Sequence, residues 1–161
     1  MSEKVSDRYL IRKIRALKTA AIYRRNKNKP GRRRYWMYGY LREVYDVFLE
    51  FERRDISKKA GRRIIRLFDL PINRKSHLIR VLIEATAGAE DDRTKIKWTK
   101  ALRYAHGWRK GSQDIEQLFG ENEGISGCAN KQALNDGTAR KKRPNISSSG
   151  KADALTAPNQ T

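Results

Sequence analysis

The 161-residue chain has one cysteine, Cys128, and two histidines, His77 and His106. A single thiol excludes an intramolecular disulfide and any cysteine cluster for zinc. Neither histidine has a Cys, Asp or Glu at a recognisable triad or ligand spacing, so no catalytic residue, metal or cofactor is expected. No phosphate-binding glycine loop is present, because Gly31-Arg32-Arg33-Arg34 lacks the second glycine and the lysine of a P-loop. Glu90-Asp91-Asp92 is acidic enough to meet a magnesium ion, but at a helix start such a cluster serves the helix dipole. No apolar run approaches the roughly 18 residues of a membrane span, and the opening MSEKVSDRYLIRK lacks a signal-peptide core. The expectation is a cytoplasmic protein with no membrane partner, nucleoid-associated in a bacterium if it binds DNA.

Acidic residues are missing where they would matter most. Between Arg8 and Arg34 there are twelve Lys or Arg residues and no Asp or Glu. Residues 1–110 hold 31 of the 37 basic and 12 of the 18 acidic residues, so they carry the whole net charge of +19. Such one-signed density repels itself and is relieved by an external polyanion. Nucleic acid is the natural partner, because each neutralised phosphate releases a condensed counterion.

Aromatics are absent from Gly120 onward, where Gly, Asn, Ser, Gln and Ala dominate. A stretch of that composition buries too little apolar area to offset its chain entropy. The expected organisation is a basic helical domain over 1–119 and a disordered tail over 120–161. Within the tail, Arg140-Lys141-Lys142-Arg143-Pro144 reads as a nuclear localisation signal or as an anion-binding patch.

What remains is helical. No segment has the alternation of a solvent-facing strand, and no fixed repeat or long heptad array is present. Leu10, Ile14, Leu17 and Ala21 form a stripe on a first helix from Ser6 or Asp7 to Arg25, with Arg8, Arg12 and Arg15 opposite. A second helix, Arg33 to Arg54, holds seven of the fourteen aromatics, with Met37, Leu41, Val44, Phe48 and Phe51 on its core stripe. A third starts after a Ser57 cap and runs to Asp69, with Lys59, Arg62 and Arg66 outward. A fourth covers Arg74 to Thr86 behind an Asn73 cap, burying Leu78, Val81, Leu82 and Ala85 and pairing Arg80 with Glu84 outside. On this helix His77 reads as a surface residue. A fifth spans Glu90 to His106, and a short helix at Gln113 to Phe119 folds back. The fold class is all-α: a compact bundle of about five helices with a candidate helix-turn-helix across the Leu70–Asn73 turn, plus the disordered tail.

These elements suggest where a polyanion would lie. Arg8, Arg12 and Arg15 on the first helix, and Arg24, Arg25, Lys27, Lys29, Arg32, Arg33 and Arg34 around the following loop, would hold phosphates. Helix four, or the Arg93, Lys97, Lys100, Arg103 and Tyr104 face of helix five, would enter a groove. Tyr35, Trp36 and Tyr40 lie off the core stripe beside the arginine triplet and are candidates for base stacking.

Around Asp92-Arg93-Thr94-Lys95-Ile96-Lys97-Trp98-Thr99-Lys100-Ala101-Leu102-Arg103-Tyr104-Ala105 the chain resembles small uncharacterised proteins of alpha-proteobacterial plasmids and symbiosis islands. The Asp-Arg start and the Trp-x-x-Ala-Leu-x-x-Ala register carry that likeness. It implies a genomic setting and no mechanism. The expectation is therefore a non-catalytic nucleic-acid-binding protein, DNA favoured, acting as an accessory or regulatory factor of a mobile element. Two alternatives stand beside it. One is a structured-RNA-binding protein. The other is an interaction module in which the aromatic helix forms a homodimer or adaptor interface and the charge serves solubility.

Overall fold

The computed structural model describes residues 5–27 and 33–137. Those residues form seven α-helices: α1 (Asp7–Lys27), α2 (Arg33–Arg53), α3 (Ser57–Leu67), α4 (Leu78–Thr86), α5 (Asp92–Gly107), α6 (Ile115–Glu121) and α7 (Gly124–Asn135). A 3-10 turn, Ser112–Asp114, leads into α6, and no strand occurs among the described residues.

The centre of the bundle is α4, which touches α1, α2, α3 and α5. Leu78, Ile79, Val81, Leu82, Ile83 and Thr86 are all buried, so the helix is apolar almost all round, as a core helix must be. Its two charged residues stay close to the fold. Glu84 Oε1 lies 2.8 Å from Lys95 Nζ of α5, and Arg80 Nη2 lies 2.8 Å from Glu84 Oε2. The expected Arg80–Glu84 pair exists, but Glu84 and Lys95 are each 8% exposed, which puts the pair inside the α4–α5 seam.

Helix α2 supplies the large side chains around α4. Tyr40, Leu41, Val44, Tyr45, Phe48 and Phe51 are fully buried. The buried arc is wider than the expected stripe because α2 meets α1, α3, α4, α5 and α6 along its length. The Tyr40 hydroxyl is 2.6 Å from Thr86 Oγ1, and the Tyr45 hydroxyl donates to the Lys110 carbonyl at 2.9 Å. Each buried phenol thus has the partner that burial demands. Helix α1 packs Leu10, Ile14 and Leu17 inward as its stripe predicts. It is tied to α2 through Lys13 Nζ and the Tyr9 hydroxyl, which donate to the Glu50 carboxylate. Arg54 joins the same carboxylate at 3.5 Å.

The helix starts differ from expectation for local reasons. Ile56, not Ser57, occupies the N-cap of α3, and no side chain caps it. Asn73 Oδ1 accepts from the Lys75 amide and closes a turn instead of capping a helix. The α4 cap is His77, whose Nδ1 accepts from the Ile79 amide at 3.2 Å, so α4 begins four residues later than Arg74. Asp91 caps α5 by accepting from the Thr94 amide at 2.7 Å.

One expectation needs correction. Order does not stop at Gly120: α7 packs along α5, burying Ile125, Cys128, Ala129 and Gln132. Small side chains make this work where aromatics are lacking. At Gly127 an added Cβ would fall 1.6 Å from the Asn122 carbonyl oxygen, so only glycine lets α7 start so close to the turn that follows α6. The rest of the proposed tail, 138–161, with the basic run at Arg140, lies outside the described residues. Ten residues separate α3 from α4, and most of α4 is buried, so the helix-turn-helix expected across the Leu70–Asn73 turn is not confirmed.

Candidate nucleic-acid interface

The fold sorts the cations into those it neutralises and those it leaves exposed. Arg24 Nη2 lies 2.5 Å from Glu43 Oε1, with its guanidinium laid over Gly39, where a Cβ would meet Nη1 at 2.5 Å. Arg25 sits 3.9 Å from Glu90, and Arg42 at the same distance from Glu116. Arg63 pairs with Asp7 and donates to the Val5 carbonyl. Arg80 also reaches Asp92 at 3.1 Å. The acidic cluster Glu90-Asp91-Asp92 is thereby spent on an arginine, a cap and a second arginine. Among the described residues no group of three or more His, Cys, Asp or Glu is placed to hold a metal ion.

On α5 the expected groove-entering face is half covered. Tyr104 is buried against α7, its hydroxyl 3.5 Å from Asn122 Oδ1, and so cannot meet a base. Arg103 is held by Asp136, and Lys100 is half-buried beside that pair. Only Arg93 and Lys97 of that set are exposed. The expectation fails there because α7, which the composition hid, occupies the surface.

The stacking candidates fare similarly. Tyr40 is fully buried, and desolvation drives its phenol well above the ordinary tyrosine range, which withdraws it from base contact. Trp36 is half-buried, edge-on to Trp98 with ring centroids 6.2 Å apart. It helps line an apolar pocket of about 260 Å³ with Ile22, Ala87 and Trp98. Lys29 and Arg32 lie outside the described residues, as do the side chains of Lys27, Arg33, Arg34 and Tyr35.

Arg8, Arg12 and Arg15 are exposed on the outer side of α1, as expected, and none has an ion pair among the described residues. A second group of cations, absent from the expected phosphate-holding set although Arg62 and Arg66 were expected to face outward, lies on α3 and the turn after it. Lys58, Arg62 and Arg66 recur every four residues on the exposed side of α3, opposite Ala60, Ile64 and Ile65. Arg74 and Lys75 are exposed in the turn that precedes α4. None of these five has an ion pair among the described residues. Arg62 lines two depressions at once, one of about 430 Å³ toward Arg74 and Lys75 and one of about 350 Å³ toward Arg66 and Asp7. Arg62 thus joins the basic turn to the outer side of α3, and the second depression ends at Asp7, the acidic first residue of α1. A signal was present: SKKAGRRIIRL has five cations and no acid in eleven residues. It was overshadowed by the longer block upstream.

Beside the first depression, His77 has its ring 5.5 Å from Phe48, while its outer edge is exposed. Desolvation by that packing, with Arg103 and His106 nearby, lowers its pKa to about 4. It is an exposed residue, as the sequence suggests, and its ring serves as the N-cap acceptor of α4. Cys128 is buried, and burial raises its thiol to about 11, so it carries no nucleophilic character.

No family model matches the chain, and no curated protein or solved structure matches it significantly. Among the described residues no helix is long and apolar enough to cross a membrane.

Proposed function

We propose that this chain is a small, non-catalytic nucleic-acid-binding protein that grips the phosphate backbone with the outer faces of α3 and α1. The carrying observation is the uneven neutralisation of charge. Arg24, Arg25, Arg42, Arg63, Arg80, Lys95 and Arg103 each meet an acid within the fold. Lys58, Arg62, Arg66, Arg74 and Lys75 do not, although they share one surface. Like charges held together without a counter-charge cost stability, and a row of phosphates relieves that cost. The aromatic residues of α2 favour this reading over an adaptor built on that helix. Tyr40, Tyr45, Phe48 and Phe51 are spent inside the monomer and are not available to a partner.

Phosphate contacts of this kind position a protein without reading sequence, and duplex DNA is the favoured ligand. The role of accessory or regulatory factor of a mobile element rests on the resemblance of residues 92–105 alone. A salt-titrated binding assay on duplex DNA, single strands and folded RNA tests the proposal. With about six phosphates engaged, log K should fall against log salt with a slope near −5. A flat response contradicts it, and preferential capture of folded RNA in competition moves the ligand to RNA.

A further inference from the structure

The cleft between α3 and the turn before α4 differs from the rest of the basic surface because it is concave. Its volume of about 430 Å³ falls within the range of small-ligand sites. Lys58 and Arg62 enter from α3, and Arg74 and Lys75 from the turn; Glu52 is the one acid in its lining. Three further features supply neutral donors. The first turn of α3 has no side-chain cap, so its amides are not satisfied by one. Ser57 lines the cleft with an Oγ that is buried and has no hydrogen-bond partner. His77 also lines it, and because Nδ1 accepts from the Ile79 amide, a neutral ring carries its proton on Nε2 as a donor.

We propose that this cleft seats a single phosphomonoester, the terminal phosphate of a nucleic acid strand or of a free nucleotide. The charge balance sets the class. A phosphodiester inside a strand brings one negative charge to four cations and one carboxylate. A monoester brings about −1.5 to −2 at pH 7 and three acceptor oxygens, a closer match to the convergent donors. Phe48, Gly61 and Leu78 form the apolar part of the lining, where the sugar side of a nucleotide would lie. The strand as source rests on the nucleic-acid reading above; the monoester preference does not.

The experiment uses the full chain and 3′-labelled oligonucleotides with a 5′-phosphate or a 5′-hydroxyl, at one salt concentration. It adds competition by AMP and by inorganic phosphate, and the variant Arg74→Ala/Lys75→Ala, whose exposed positions leave the core untouched. Wild type should bind the phosphorylated end about tenfold more tightly, as expected when a charged acceptor gains several donors. AMP should erase the difference, and the double variant should bind both ends alike. Equal affinity of wild type for the two ends, with salt-dependent binding intact, overturns the monoester site and leaves the nucleic-acid reading standing. If AMP binds wild type and not the variant while no oligonucleotide binds, the site stands and the nucleic-acid reading falls. An adventitious response to inorganic phosphate alone, equal in wild type and variant, also overturns the site.

Discussion

Arg103 and Asp136 form a two-pronged ion pair, Nη1 to Oδ2 at 2.8 Å and Nη2 to Oδ1 at 3.0 Å, across 33 residues of sequence. It ties the end of α7 to the middle of α5. Burial opposes the charge on Asp136, but the Arg103 and Gln132 hydrogen bonds prevail and hold its pKa below the ordinary aspartate value. A carboxylate with a lowered folded pKa adds stability above its unfolded pKa, and that contribution disappears as pH falls through the folded value. Asp136→Asn should therefore cost roughly 1 kcal/mol at neutral pH and almost nothing in strong acid. Thermal melts at several pH values check this, with faster amide exchange over 124–135 as the local sign.

Gly127→Val should destabilise more. The Asn122 carbonyl occupies the space of any Cβ, so the α6–α7 turn must open and shift the start of α7. The cost is about 2–3 kcal/mol, in the range of overpacked cores, measured by urea unfolding. A neutral outcome would mean that α7 is not docked as described.

Glu84 faces both Lys95 and Arg80 in the α4–α5 seam. Glu84→Ala leaves Lys95 buried without its counter-charge and should cost about 3–5 kcal/mol. Replacing Glu84 and Lys95 together, Glu84→Leu with Lys95→Met, should recover much of that loss, because the buried ammonium is gone and Arg80 keeps Asp92 at 3.1 Å. Equilibrium unfolding of the single and double variants makes the comparison.

His77 predicts an acid-side loss of stability. Its folded pKa of about 4 lies below the ordinary histidine value, so the unfolded chain binds the extra proton first as pH falls. The contribution is complete above about pH 6.5 and is lost between there and pH 4. The groups that set this are Phe48 and Glu52 on α2, Arg103 and His106 on α5, and Asp136. His77→Asn keeps an N-cap acceptor and should flatten that part of the pH profile. An unchanged profile would assign the acid sensitivity to other groups.

The sequence carried most of the helix plan because apolar spacing is local. Leu10, Ile14 and Leu17 mark the buried side of α1, and Trp98, Ala101, Leu102 and Ala105 that of α5. Two things were hidden. α7 packs through Gly127, Cys128 and Ala129, whose size signals nothing in composition although close approach makes it effective. The state of each cation was hidden as well, since its partner is remote in sequence: Arg24 finds Glu43, Arg63 finds Asp7, Arg103 finds Asp136. Those pairings neutralise much of the expected set and leave Lys58, Arg62 and Arg66 exposed beside Arg8, Arg12 and Arg15. For the same reason Tyr40 and Tyr104, off-stripe or outward by spacing, proved to be buried under neighbouring elements.

The central claim is that α3 holds phosphates with cations the fold leaves unneutralised. The most direct measurement is the salt slope of duplex-DNA binding for Lys58→Ala/Arg62→Ala/Arg66→Ala beside a control, Arg42→Ala/Arg103→Ala. The α3 variant should weaken binding alike on all sequences and make the slope shallower by about 2–3, at roughly 0.9 per lost phosphate contact. The control should leave the slope within about one unit of wild type, because its cations already face acids. Equal slopes for wild type and the α3 variant, or a larger loss in the control, would contradict the account.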